Sequence, residues 1–188
     1  MTSIAIVFHS GYGHTRIAAE AVAAGAAQVA GTQVHLIASD ETEAKADLLQ
    51  AADAIIFGSP TYMGAVSAKF KEFMEWSSKI WYGQGWKDKL AAGFTVSASQ
   101  SGDKLAVLQQ LSVFAAQHGM VWVGLGLMPG NNNSKGSVED LNRLGSFLGA
   151  MAQANADQGP EGVTEADRKT AALLGKRVAE AAARWARA

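Results

Sequence analysis

The sequence has no cysteine. Disulfides, thiolate nucleophiles and cysteine-based metal sites are thereby excluded. It also lacks an excess of either charge. With 16 basic and 17 acidic side chains the net charge is −1, so neither nucleic acid nor an anionic membrane is expected as a partner. No apolar run approaches the roughly 18 residues that span a bilayer. The N-terminus shows no signal-peptide pattern, so no membrane partner is expected and the expected location is cytoplasmic. What is present is globular: 48% hydrophobic and 18% charged residues over 188 positions, enough for a sizeable core. No repeat or linker interrupts the chain, and residues 1–188 are expected to form a single domain.

Two common phosphate loops are absent as well. No Gly-x-x-x-x-Gly-Lys-Ser/Thr stretch occurs, and the Gly-x-Gly-x-x-Gly pattern that begins at Gly11 and Gly13 fails at Arg16. Yet Ser10-Gly11-Tyr12-Gly13-His14-Thr15 suits a phosphate. It joins the apolar run Ile4–Phe8, read as a buried strand, to an alanine-rich helix. Its glycines let the backbone approach a ligand, Ser10 and Thr15 offer hydroxyls, and the helix start adds free N–H groups. His14 is a further candidate donor. A hydroxyl-rich loop without a dedicated lysine fits the phosphate of flavin mononucleotide (FMN), as in the flavodoxin-like doubly wound sheet. The other reading is an ordinary strand-to-helix turn capped by Thr15.

Strands and helices then alternate. The first helix, about 14–30, places Ala18, Val22, Gly25 and Val29 on one face. Further strands are expected at Gln33–Ile37, Ala54–Phe57, Ala91–Val96 and Met120–Val123. A short helix is expected within 40–52. Another has Val66, Phe70, Phe73 and Ser77 inward, and helix 104–118 turns Leu105, Leu108 and Leu111 inward. Thr164-x-x-Asp167 resembles a capping box that opens the last helix, with Ala171, Leu174, Val178, Ala181 and Trp185 at its spacing. Arg184 and Arg187 suit its negative pole. The region 124–162, with Pro129, Gly130 and Gly136, is too long for a plain connection and reads as a loop or inserted element near the site. The expected fold is α/β: a flavodoxin-like, doubly wound, five-stranded parallel sheet of order 2-1-3-4-5 with helices on both faces.

Ligands bind such sheets beyond the C-terminal strand ends, which selects loops 9–15, 58–65 and 97–103. The second contains Pro60, Thr61, Tyr62, Met63 and Gly64. Its proline and glycines indicate a tight path, and Tyr62 and Met63 suit the face of an isoalloxazine ring. Alternatively, Tyr62 is a half-buried loop anchor. The third contains Ser97, Ala98, Ser99, Gln100, Ser101 and Gly102, small groups able to meet a ring edge or ribityl chain. Trp81 and Trp86 are candidates for an aromatic wall, or else core or interface residues.

The set Ser-x-Tyr-Gly-His-Thr, Gly-Ser-Pro-Thr-Tyr-Met-Gly and His118-Gly119-Met120 resembles the flavodoxin-like NAD(P)H:quinone oxidoreductases of the tryptophan-repressor-binding-protein family. The resemblance implies FMN phosphate held by residues 10–15, the ring held by 61–63 and 97–102, and a further contact from His118. It also implies Tyr12 near the nicotinamide and Trp81 on the substrate side. The chain departs from the family pattern at Gly11, usually a large apolar residue, and at Tyr62-Met63, usually arginine and phenylalanine. The expected function is FMN-dependent transfer of two electrons from NADH or NADPH to a quinone or similar flat acceptor, by a homodimer or homotetramer. No protein side chain is expected to be catalytic in its own right, because the flavin carries the chemistry. The alternatives are a flavodoxin-type one-electron carrier between protein partners and a non-catalytic FMN-binding protein.

Overall fold

The computed structural model describes residues 1–185. Arg187 lies outside the described residues. The central strands are β1 (Thr2–Phe8), β2 (Thr32–Ala38), β3 (Ala54–Tyr62) and β5 (Leu90–Ser97), with a two-residue β4 (Ala65–Val66) hairpinned onto β3. All pairings along the order β2-β1-β3-β5-β6 are parallel, where β6 is Val121–Trp122. Side chains alternate between faces along each strand. Ile4, Ile6 and Ile56 point into one core with helices α1 (His14–Ala27) and α6 (Glu165–Trp185). Ala5, Val7, Ile55 and Phe57 point into the other, against α2 (Ala46–Ala51), α3 (Ala68–Trp76) and α5 (Lys104–Gln117). Both faces are covered, as a parallel sheet requires. The short α4 (Ser78–Tyr82) follows α3.

The sheet has seven strands rather than five, and the difference lies mainly at one edge. The expected fifth strand, Met120–Val123, is split. Its first part, β6, pairs with Leu90 and Ala91 at the start of β5. The chain then leaves the sheet and returns as β7 (Ala150–Gln153), which pairs with Phe94–Ser97 on the same edge. The excursion is tied where it starts: Trp122 Nε1 donates to the Leu148 carbonyl at 2.9 Å and the Leu125 N–H donates to Phe147 at 2.9 Å. The first part of region 124–162 is thus an insertion between two strand segments, and β7 and the residues after it return the chain to the C-terminal edge.

Two smaller expectations are corrected. Strand β3 runs on through Pro60, Thr61 and Tyr62, which therefore occupy a strand and not a loop. Leu105 is 52% exposed, and the inward face of α5 is Val107, Leu108, Leu111, Phe114 and Ala115. Leu105 sits in the first turn beside a buried Lys104, which takes the inward place.

Helices α1 and α6 approach through facing glycines. A Cβ on Gly25 would collide with the Ala172 carbonyl oxygen, and one on Gly175 with that of Val22. Gly175→Ala is expected to lower stability by about 1–3 kcal/mol through overpacking. A thermal midpoint equal to wild type would show that the helices separate without cost.

Candidate functional site

The turn after β1 is built by its own hydroxyl. Ser10 Oγ accepts from the N–H of Gly13 and of Arg16, both at 3.1 Å, so the chain curls around it into α1. Gly13 has φ 91, a left-handed conformation that favours glycine, and a Cβ there would meet Pro160 Cγ at 2.5 Å. Among the described residues, the N–H groups of Tyr12, His14 and Thr15 carry no partner. Together with the hydroxyl hydrogens of Ser10 and Thr15, they form a compact set of anion donors at a helix start.

His14 is only half available to that set. Its Nε2 contacts the carbonyl oxygens of Gln158 and Gly159, each at 2.9 Å. Carbonyls only accept, so Nε2 carries a proton and donates. The expectation gave this ring to a phosphate; the structure gives one of its nitrogens to the returning insertion and leaves Nδ1.

Beyond the turn lies a cavity of about 420 Å³. One wall is Gly11, Tyr12, His14 and Thr15; a second is Pro60, Thr61 and Tyr62 of β3. A third is Val96, Ser97 and Ala98 of β5 and its loop, and Ala154 and Ala156 close the side after β7. The volume and the mostly apolar lining with convergent polar groups suit a cofactor-sized ligand. Tyr12 and Tyr62 meet edge to face at 6.4 Å, and burial pushes the Tyr62 phenol up, keeping it protonated. A Cβ on Gly11 would lie 2.6 Å from Tyr62 Oη. Gly11 and Tyr62 are therefore fitted to each other: Tyr62 takes the room that glycine leaves.

The remaining expected residues divide. Met63 sits at the tip of the β3–β4 turn with φ 50 and is fully exposed, beside Gly64 with φ 76. Ser99, Gln100 and Ser101 are exposed and Gly102 is half-buried, in a loop that borders the cavity through Ser97 and Ala98. Val96, Ala154 and Ala156 were not anticipated, because an alanine or valine carries no chemical signal; only the length of 124–162 hinted at a wall from that region.

Lys104 was missed too. It is fully buried, and its Nζ donates to Ser97 Oγ at 2.6 Å, the Ser99 carbonyl at 2.9 Å and the Gln100 carbonyl at 2.7 Å. Burial pushes its pKa down to about 8. Loop 97–102 is therefore wrapped around an ammonium.

Trp81 and His118 are elsewhere. They share a second cavity of about 230 Å³ with Met74, Ser77 and Phe114. Lys104 and His118 stand at opposite ends of α5, about 20 Å apart at 1.5 Å per residue, so one chain cannot bring His118 to the first cavity. Trp86 is fully buried and belongs to the core. His118 packs on it with ring centroids 4.4 Å apart and the rings tilted by 33°, bonds to Ser77 Oγ through Nε2 at 3.0 Å, and has no partner for Nδ1 among the described residues. Among those residues no cluster of His, Asp and Glu is placed to hold a metal.

Burial pushes the His118 pKa down to about 4. Above the ordinary value of about 6.5 the imidazole is neutral in folded and unfolded chains alike. As pH falls from there towards 4, only the unfolded chain gains this proton, so stability drops by about 3 kcal/mol across that window. In His118→Gln this part of the slope should vanish in urea titrations between pH 7 and 4. An unchanged slope would mean that the ring is protonated in the folded state.

The fold and the site define a flavodoxin-like flavoprotein. The chain belongs to the NADPH-dependent FMN reductase family, whose model matches residues 10–133 and so takes in the turn 10–15, the other two loops and His118. It is 42% identical to the flavodoxin FldP of Pseudomonas aeruginosa, over 95% of this chain and 96% of that one. It is 33% identical to an NAD(P)H dehydrogenase (quinone) of Archaeoglobus fulgidus, over 97% and 98%. Among solved structures, a flavodoxin, WrbA-like protein from Agrobacterium tumefaciens superposes with a TM-score of 0.77 at 41% identity, covering 98% and 99% of the two chains.

Proposed function

We propose that the protein is an FMN-dependent oxidoreductase, a single flavin-binding domain passing two electrons from NADH or NADPH to a quinone or similar flat acceptor in the cytoplasm. The observation that carries the reading is the cavity itself: a turn of free N–H and hydroxyl donors opens onto walls formed by Tyr12, Tyr62 and Ala98. The residues fit FMN, with the phosphate at 10–15 and the ring between Thr61–Tyr62 and Ser97–Ala98. When bound, FMN supplies the two-electron chemistry, accepting from a reduced nicotinamide and delivering to the acceptor. The chain binds and orients. Ser10 and Thr15 would donate to the phosphate, and the apolar residues Val96, Ala154 and Ala156 would exclude water from one side. Tyr12, 76% exposed at the mouth, offers a flat face to an incoming ring. Membership of the reductase family and similarity to NAD(P)H dehydrogenases (quinone) support this reading.

Trp81 and His118 reach such a ring only from a second copy of the chain, and a homodimer or homotetramer is proposed on that ground. Similarity to a protein named flavodoxin favours a second reading, a one-electron carrier. The balanced charge of −1 opposes it, because carriers use a strong acidic surface to steer towards basic partners. Steady-state assays with NADH and NADPH, with and without benzoquinone, separate the two. One exposed face serves donor and acceptor in turn, so double-reciprocal plots at fixed quinone levels should be parallel. Intersecting lines would refute alternation, and absence of turnover with every flat acceptor would leave the carrier and the non-catalytic FMN-binding readings.

A further inference from the structure

Lys104 stands where a lysine is least expected. It is the first residue of α5, at the positive pole of the helix, and it is fully buried. Both facts oppose an ammonium. Yet its Nζ has three oxygen acceptors at 2.6–2.9 Å, one for each hydrogen, all from loop 97–102. These acceptors are neutral, a hydroxyl and two carbonyls, so they satisfy the hydrogens without cancelling the charge. The charged groups that bear on it are Asp167 of α6 and Arg143 of the insertion, acting in opposite senses. Those two are bonded to each other, Arg143 Nη2 to Asp167 Oδ2 at 2.7 Å, so they offset one another at Lys104, with Asp167 the stronger. A net positive charge remains, one hydrogen bond behind Ser97, which lines the cavity. Holding the loop would need only a neutral donor. What a lysine adds is charge, and in a site of low dielectric that charge acts over several ångströms.

A hydride from a reduced nicotinamide adds two electrons and one proton to the neutral flavin ring and leaves it with one negative charge; the oxidised nicotinamide departs with the positive charge. We propose that the Lys104 ammonium, a positioning residue for loop 97–102, places a positive charge behind the Ser97–Ala98 wall and makes the site favour the reduced, anionic flavin over the oxidised, neutral one. The inference rests on the FMN reading and assigns Lys104 the setting of the driving force from nicotinamide to flavin. At neutral pH the group keeps its charge, since burial lowers its pKa only to about 8.

The test is the ratio of dissociation constants for dithionite-reduced and oxidised FMN, measured anaerobically at pH 7 in wild type, Lys104→Gln, Lys104→Met and Lys104→Arg. In the Gln and Met variants the ratio should rise about tenfold or more, equivalent to a fall of about 30 mV in midpoint potential per tenfold. Arg, which keeps the charge, should hold the ratio within about threefold of wild type. Equal weakening of both forms in Gln and Met would reduce Lys104 to a loop staple and overturn the proposal, as would an unchanged ratio. Should these variants fail to fold, the wild-type ratio measured from pH 7 to about 9.5 serves instead. The ratio should rise over that range as Lys104 loses its charge, and a flat profile would overturn the proposal. Wild type that binds neither form would overturn the flavin reading itself, which an altered or unaltered ratio leaves standing.

Discussion

Replacing Ser10 and Thr15 together by alanine is expected to weaken FMN binding by about a hundredfold and to leave riboflavin binding within about threefold of wild type. Hydrogen bonds to a charged group contribute about 1.5–3 kcal/mol each, and each 1.4 kcal/mol is tenfold in affinity. Two lost hydroxyl donors therefore remove at least about 3 kcal/mol from the phosphate and nothing from a ligand without one. The structure adds a second contribution. Ser10 Oγ also accepts the N–H groups of Gly13 and Arg16, so its removal loosens the turn that aims the remaining N–H donors. Thr15→Ala alone, which leaves that curl intact, should give the smaller effect and Ser10→Ala the larger. Fluorescence titration with the two ligands reads the difference directly. Equal weakening of FMN and riboflavin would show that the turn holds no phosphate, and the position of the cofactor would have to be reconsidered.

What was legible in the sequence follows from where the chemistry is concentrated in short stretches. Glycines and hydroxyls in 10–15 mark the turn because the backbone there must bend and donate within six residues. The alternating apolar strands give the sheet order, since right-handed crossovers leave few choices. The split edge was not legible. Met120–Val123 looks like a whole strand, and Ala150–Gln153 carries too little apolar weight to announce its partner β5. Lys104 was hidden for a different reason: a lysine at a helix start reads as a solvated surface residue, and only loop 97–102 folding over it reveals the three bonds of its Nζ. His118 shows the limit of carrying a residue over by resemblance. Its neighbours in sequence match the family, but the distance along α5 separates it from the cavity of its own chain.

Removing the carboxylate of Asp167 should be among the most damaging single changes, at about 3–5 kcal/mol, the usual cost of leaving one member of a buried ion pair alone. Asp167 lies in the first turn of α6, where the positive helix pole favours an anion. Its two oxygens accept from Arg143 Nε at 2.9 Å and Nη2 at 2.7 Å, and Oδ2 also accepts the Gln153 N–H at 2.9 Å. The side chains of the pair are 8% and 2% exposed, so no water replaces what is lost. The carboxylate thereby ties the insertion to α6 and to β7, the strand that delivers Ala154 and Ala156 to the cavity wall. Asp167→Leu alone leaves the Arg143 guanidinium buried without a counter-charge, whereas Arg143→Met combined with Asp167→Leu leaves neither charge. The double variant should recover most of the urea midpoint lost in the single one, because it is the orphaned charge and not the absent bond that dominates. Its FMN affinity should stay below wild type, since the Gln153 N–H still lacks its acceptor and the wall after β7 is less firmly held. A single variant within about 1 kcal/mol of wild type, the level of an exposed surface pair, would show that water reaches the pair and that the insertion is held by its backbone contacts alone.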